Sequence, residues 1–590
     1  MERAKNVFLS VASRLRARMN REITLYGFLI VIAMVIRFWD VGARAIHYDE
    51  GIHLGCSQNI LNPLSWCLEP WTHGPFQFYG TSFNFFLFGD SDFAARLLPA
   101  IFGTAIVALP YFLRRQIGRR GSLAVATLLA FSPLFLYYSR YARNDIYIAF
   151  FMLLLVVCLW RYIEERKARY LYIGAAALSF SFCTKEVSYI TLCMLALFLI
   201  IVAAKELVAR VRHRFYLKGL SAPAEYLILI GTLSLPLFGA FIQLIPGVDL
   251  GSGLSNVWAK VLVVFLFAIS AAIGLRWNPR RWLISAIIFY GIFIVLYTAF
   301  FTNISGFATG VWGNVDYWIE QQGVARGGQP WFYYIMFLPI YEFLPLLFAS
   351  IGAIYYTIKG NTFSRFLVYW AVMSLVLYSF AGEKMPWLSI HIALPVILLG
   401  GMFIGRLLQG FKWRWITPRM VQASTVLALL ILFSFTVHVT LEENYRKDDD
   451  PPQMLLYAAV SYDVPRVVAR INELAADMGD DFTVTVDWDV YYTSWDWYLR
   501  DYIRDGKVDH SISQPSGSVL IVSTGNRPTG DEGYLENYGE GEEIRGLIWF
   551  PEEYKSGFSI GWWWGYFWDR ETENGYGGPN VIVYFPKSSP

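Results

Sequence analysis

The sequence predicts a polytopic α-helical membrane protein with a cytoplasmic N-terminus, ending in a small soluble α/β domain outside the membrane. Apolar runs of about 20 residues recur thirteen times between positions 23 and 441, and a run of 18 or more can span a hydrocarbon core about 30 Å thick. The chain is 56% hydrophobic and only 16% charged, where a soluble protein is about a quarter charged. Soluble, fibrous and disordered classes are thereby excluded. The net charge of +3 averages two unlike parts. Residues 1–441 hold 37 Lys and Arg against 19 Asp and Glu, while residues 442–590 hold 12 against 27. That break marks the main domain boundary, and its acidic sign argues against nucleic acid as a partner.

The expected spans are 23–39, 93–113, 121–138, 145–163, 170–184, 187–204, 225–246, 257–275, 282–301, 331–358, 364–380, 388–405 and 420–441. The basic segment 1–22 precedes them in the cytoplasm, and 23–39 reads as an uncleaved first span because it ends in the bulky Phe38-Trp39 and contains Arg37. Loops assigned to the cytoplasm carry 28 Lys and Arg, and those assigned outside carry 6. This asymmetry sets the orientation, and an odd span count places 442–590 outside. The first outer loop, 40–92, contains the amphipathic pieces 51–61 and 76–88, expected as helices lying along the interface.

The acidic tail carries a helical period over 465–478 and strand-like runs at 483–486, 518–522 and 580–585. Cys158, Cys183 and Cys193 fall in apolar runs and read as core residues. Cys56 and Cys67 share the first outer loop and are candidates for a disulfide in an oxidising compartment. No solenoid repeat or low-complexity tract is present. Glu342 is an intramembrane carboxylate and so a functional candidate, and His391 reads as a bonded interior histidine. The tryptophan-rich run 561–568 reads as a local core or a seat on the bilayer, with sugar stacking as the alternative.

The residues suited to chemistry gather in the outer loops. His47-Tyr48-Asp49-Glu50 offers adjacent carboxylates, and a carboxylate at a membrane surface can take a proton from an attacking hydroxyl. The same loop holds His53 and His73-Gly74-Pro75. Later outer loops supply Arg140, Arg143 and Asp145, then Lys185 and Glu186, then Lys384. Cations at the outer ends of spans can grip a lipid phosphate and stabilise it as it leaves. Each alone is equally consistent with snorkelling to the headgroups.

As an ensemble, these motifs resemble the polyprenyl-phosphate-sugar-dependent glycosyltransferases of the GT-C fold. The protein O-mannosyltransferase and lipid A aminoarabinose-transferase groups are the nearest in pattern. Asp49-Glu50 with Ile52-His53-Leu54-Gly55 resembles their first-loop acidic motif, with the histidine one residue further on. His73-Gly74-Pro75-Phe76 resembles their His-Pro-Pro-Leu, with Gly for the first Pro. Ala95-Arg96-Leu97-Leu98-Pro99 and the segment 141–145 resemble further pieces. The segments 382–387 and 329–334 resemble an archaeal and bacterial flippase-associated subgroup linked to surface glycan assembly.

The resemblance implies transfer of a sugar, with inversion, from a polyprenyl-phosphate donor to a glycan, protein or lipid acceptor at the outer face of the cell membrane. It implies Asp49 as general base with Glu50 beside it, and Arg143, Arg140 and Lys384 on the donor phosphate. His53, His73, Asp145 and Glu186 would order the loop or the acceptor. No resident metal or cofactor is implied, although Asp49, Glu50, Asp145 and Glu186 are hard-cation ligands by type. A lipid-linked-sugar flippase and a non-catalytic scaffold of a glycosylation pathway are the rival readings.

Overall fold

The structure, a computed structural model, describes the chain except for residues 1–20, 62–72, 213–215, 249, 251–252, 325, 411–416, 447–452, 456, 491–492, 530–532 and 588–590. Most of the basic N-terminal segment, and Cys67 with its candidate disulfide, lie outside the described residues.

Among the described residues, nine helices are long and apolar enough to cross a membrane, and two bent pairs raise the number to eleven. All eleven coincide with expected spans. The other two expected spans are helical but fall short. Arg21–Phe38 carries Arg21, Glu22 and Arg37 within its 18 residues. Arg169–Phe182 has 14 residues, about 21 Å at 1.5 Å per residue.

The span expected over 331–358 is also not a rod. Tyr333–Tyr341 and Phe343–Lys359 meet at 114°, with Glu342 at the corner. The span over 121–138 bends by 55° between Arg119–Phe131 and Pro133–Ser139, because Pro133 cannot donate a helical hydrogen bond. The two breaks touch, since the Ser132 hydroxyl donates to the Glu342 carboxylate. Glu342 thus has a local partner inside the bundle. The carbonyls of Leu129 and Ala130, left at the helix end, accept from the buried Arg37 guanidinium at 3.0 and 3.2 Å. That is how a charged residue is accommodated in the first helix.

Pro386–Gln409 is the central helix, and all of its most apolar window is buried. Small residues permit this: a Cβ on Gly405 would sit 2.3 Å from the Gly121 Cα, so two backbones cross in contact. His391, on this helix, lies 3.2 Å from Asp145 Oδ1 and stacks on Tyr378. Cys158 and Cys183 are buried as expected, whereas Cys193 faces outward.

The first outer loop forms the helices Tyr48–Leu61 and Phe76–Phe88. The second leaves Phe83, Phe86, Leu87 and Phe88 exposed at its end.

The last membrane helix continues to Arg446, past position 441. Beyond it, β1 (Ala459–Val460) pairs with β6 (Leu547–Ile548). β2 (Val484–Val486), β3 (Val508–Asp509), β4 (Val519–Ser523), β5 (Glu542–Arg545) and β7 (Asn580–Tyr584) form one sheet in the order β3-β2-β4-β7-β5. β2 runs parallel to β3 and β4, and β7 runs antiparallel to β4 and β5. Alternate residues serve two cores. Val519 and Ile521 pack with Val464, Val467 and Ile471 of helix Asp463–Met478, and Leu520 and Val522 pack with Ile582, Tyr584 and Tyr538. This is the period of two of a sheet covered on both faces.

The domain clamps the first outer loop. Trp497 stacks on Phe85 at 5.6 Å and its indole N–H donates to Asp92 at 2.8 Å, while the Ile46 N–H donates to the Tyr498 hydroxyl at 2.8 Å. The tryptophan-rich run forms helix Ile560–Asp569. Trp563 donates to the Met336 carbonyl at 2.9 Å, and Phe567 packs on Phe343 and Phe435, so this helix braces the domain against the membrane helices.

Candidate active site

A cavity of about 540 Å³ opens where the loops assigned to the outer side meet the C-terminal domain. Asp49, His53, His73, Arg143, Lys185 and Glu186 line it, together with Trp387 and residues of segment 302–330 and of the domain.

Helix Tyr48–Leu61 begins immediately after His47. The His47 N–H donates to Glu50 Oε2 at 3.0 Å, placing the carboxylate at the N-terminal turn where the helix dipole favours negative charge. Glu50 then turns inward. Arg96 donates to both its oxygens, Nε to Oε1 at 2.8 Å and Nη2 to Oε2 at 2.6 Å, and the Ala142 N–H donates to Oε1 at 2.7 Å. Both side chains are fully enclosed. Burial raises the Glu50 pKa, but the Arg96 charge and hydrogen bonds outweigh it and hold the group down at about 2. Glu50, expected beside Asp49 in catalysis, is therefore a fastener between the first and second outer loops and does not line the cavity.

Asp49, one residue earlier, points the other way and is 21% exposed at its side chain. Arg143 forms an ion pair with it. Burial opposes ionisation of Asp49, yet the Arg143 charge prevails and keeps its pKa below the usual carboxylate value. Arg143 also lies over the Trp387 ring at 3.6 Å, a cation–π contact. Its Nε–H is buried without a hydrogen-bond acceptor among the described residues. Asp49's own N–H donates to His47 Nδ1 at 3.1 Å, and the Tyr141 hydroxyl lies 2.7 Å from the same nitrogen. Burial pushes His47 down to about 4, so in the neutral ring the one Nδ1 lone pair is shared between the two donors.

The histidines meet the third outer loop. His53, one turn beyond Asp49, stacks with His73 at 5.5 Å, and His73 Nδ1 lies 3.2 Å from Glu186 Oε2. Burial, then nearby cations, holds both imidazoles well below their ordinary pKa. Burial raises Glu186 to about 7. Gly74 fixes this junction. Its N–H donates to the Thr184 carbonyl at 3.1 Å, and a Cβ there would lie 2.3 Å from the Cys183 oxygen. Proline offers no such donor, and any larger side chain would collide. The Gly that departs from His-Pro-Pro-Leu is thus required by the contact with 183–184.

The remaining expected residues are placed otherwise. Arg140 donates to the carbonyls of Ile36, Trp39 and Asp40 and lies over Tyr445. It satisfies the open end of the first helix and lies away from the cavity lining. Lys384 is buried beside the cavity without lining it. Asp145 sits under the floor, 3.0 and 3.1 Å from Lys185 Nζ. Lys185, a cation of the third loop not among the three expected phosphate ligands, lines the cavity in place of Arg140 and Lys384. Asp49 and Asp145 already face Arg143 and Lys185, and among the described residues no three His, Cys, Asp or Glu side chains gather as metal ligands.

Other lining residues had no local signal: Tyr317, Trp318 and Gln321 on helix Asn314–Val324, and Tyr457, Leu547, Trp549 and Pro579 in the domain. They come from distant chain segments with no motif to flag them.

Residues 72–222 match the family described as dolichyl-phosphate-mannose-protein mannosyltransferase. ArnT from Cupriavidus metallidurans bound to undecaprenyl phosphate is similar in structure, with a TM-score of 0.51 at 13% identity over 94% of this chain and 97% of that one. The Archaeoglobus fulgidus oligosaccharyltransferase in its apo form has a TM-score of 0.51 at 12% identity, covering 83% of this chain and 64% of its own length. The archaeal oligosaccharyltransferase AglB from Archaeoglobus fulgidus, in complex with an inhibitory peptide and a dolichol-phosphate, has a TM-score of 0.50 at 13% identity, covering 85% of this chain and 69% of that one. No curated protein matches the chain by sequence. The chain therefore has the GT-C fold shared by ArnT and AglB, and its segment matching the mannosyltransferase family is the one that carries His73, Arg143, Lys185 and Glu186.

Proposed function

We propose that the protein is an integral-membrane glycosyltransferase that moves a sugar from a polyprenyl-phosphate donor to an acceptor hydroxyl at the outer membrane face. One observation carries the reading: a single cavity holds an ionised carboxylate, Asp49, against Arg143, with Lys185 on the same lining. A base beside phosphate-binding cations is what such a transfer requires.

Arg143 and Lys185 hold the donor phosphate. While Arg143 pairs with Asp49, the carboxylate is a weak base. An incoming phosphate competes for the guanidinium and frees Asp49 to act. The acceptor O–H then gives its proton to Asp49, and the oxygen attacks the anomeric carbon from the face opposite the phosphate. The bond from that carbon to the phosphate oxygen breaks, and the phosphate leaves with the electron pair, its charge met by Arg143. The product is inverted at the anomeric centre. The base is thus available only when donor is bound.

The undecaprenyl phosphate held by ArnT and the dolichol-phosphate held by AglB support a lipid-phosphate donor here. The 28-to-6 asymmetry of loop cations supports an outer-facing cavity and an extracytoplasmic C-terminal domain in the cell membrane. Against a flippase, the ionisable groups that line the cavity cluster at span ends, while transporters place their binding sites near the midplane. The test offers radiolabelled polyprenyl-phosphate sugars and host membrane extract to purified protein in nanodiscs, with Asp49→Asn in parallel. Label transfer by wild type alone supports the reading. Transfer that survives Asp49→Asn removes Asp49 as base, and no transfer from any donor removes the enzyme.

A further inference from the structure

A second, smaller cavity of about 190 Å³ adjoins the first, and Tyr457 and Trp549 line both. Its walls come from the loop before the bent tenth span and from the C-terminal domain, and they include Tyr333, Phe550 and Tyr554. Two polar groups stand among these rings. Tyr554 donates to Gln329 Oε1 at 3.0 Å, and Gln329 Nε2 donates to Glu552 Oε1.

The chemistry of this chamber is selective. Its lining contains no Lys or Arg, and its one carboxylate, Glu552, is paired with Lys555 outside the lining, so the lining itself offers no cation to a phosphate. Its volume is below the roughly 300–1,000 Å³ of an ordinary small-molecule site and suits one compact ring. Glu552 accepts from Gln329 through Oε1 and from Lys555 through Oε2, which leaves about two of a carboxylate's four acceptor positions for hydroxyl donors. Trp549 is 45% exposed although its backbone is fixed by an N–H bond to the Gly577 carbonyl at 2.8 Å. A half-exposed indole on an anchored backbone, beside hydroxyl acceptors, fits a ring with apolar C–H faces and polar edges.

We propose that this chamber is a saccharide subsite that holds a neutral sugar ring of a glycan acceptor, next to the ring whose hydroxyl is glycosylated at Asp49. The acceptor class is then an oligosaccharide. The assignment rests on the transferase reading for the word acceptor, but the binding itself does not.

The test is saturation-transfer NMR of the full chain in nanodiscs with maltotriose and with mannotriose, for wild type, Trp549→Ala, Trp549→Phe and Glu552→Gln. Wild type is expected to bind at least one trisaccharide. Trp549→Ala is expected to weaken it at least tenfold, Glu552→Gln several-fold, and Trp549→Phe to restore most of it, with thermal unfolding unchanged. Binding of neither trisaccharide to wild type overturns the subsite, as does equal binding by Trp549→Ala. Trisaccharide binding with no transfer from any donor keeps the subsite and sinks the transferase. Transfer without trisaccharide binding does the reverse.

Discussion

Two adjacent regions of this molecule use the same kinds of charge for opposite ends. At the cavity wall, Asp49, Arg143, Lys185, His73 and Glu186 surround open space. In the packed seam beside it, Glu50 and Arg96 meet with no space at all, and Arg140 spends its donors on backbone carbonyls. Removing one partner of a fully buried pair leaves an unpaired charge and damages the fold. Removing a charge that faces a cavity leaves water to solvate its partner and damages only chemistry. Orientation relative to empty space, more than residue type, separates charges open to a ligand from architectural ones.

The contrast can be broken by experiment. Asp49→Asn is expected to lower turnover by roughly 100- to 10,000-fold, the usual worth of a positioned base, with unfolding temperature near wild type and donor binding tighter, because the phosphate no longer competes with Asp49 for Arg143. A matching loss of stability would erase the distinction. Arg96→Leu is expected to destabilise the protein by about 3–5 kcal/mol, read by thermal unfolding in detergent. If that variant is as stable as wild type but inactive, the seam belongs to the site. Arg143→Ala is expected to raise the donor dissociation constant by about 10- to 100-fold, on the order of a charged hydrogen bond of 1.5–3 kcal/mol. Acceptor binding should hold, and equal weakening of both would remove Arg143 from the phosphate.

The smallest expected effect sharpens the cavity side. Burial raises Glu186 to about 7, above the roughly 4.3 of an unfolded glutamate. The folded state therefore binds the proton more tightly. The stability this contributes is full below about pH 4 and is lost as pH rises through 7. Thermal stability measured from pH 4 to 8 should fall less for Glu186→Gln than for wild type. Parallel curves would mean that the group carries no such shift.

Much of this was legible in the chain. Eleven of the thirteen expected spans meet the length and hydropathy needed to cross a membrane, because hydropathy is a local property. The outer loops that charge asymmetry grouped together do converge on one cavity. The bends were only partly legible: prolines at 133 and 345 signal possible breaks, but the 114° angle at Glu342 is not written in them. Nor did the His-Gly-Pro departure reveal its cause, since the Gly74 contact joins positions more than a hundred residues apart.

The sequence by itself determined a membrane bundle with an acidic C-terminal domain, and a first long loop with carboxylates beside cations. Hydrophobic run length and charge count are enough for that. Only the tertiary structure decided that Asp49 faces the cavity and Glu50 the seam, because neighbours on a helix point about 100° apart and do not share a face. It alone put Lys185, and not Arg140 or Lys384, on the cavity lining, since which loop cation reaches a cavity depends on which carbonyls and carboxylates each meets first. It also brought Trp549 and Tyr457 to the cavity from the far end of the chain, an approach made by domain packing and written in no local pattern.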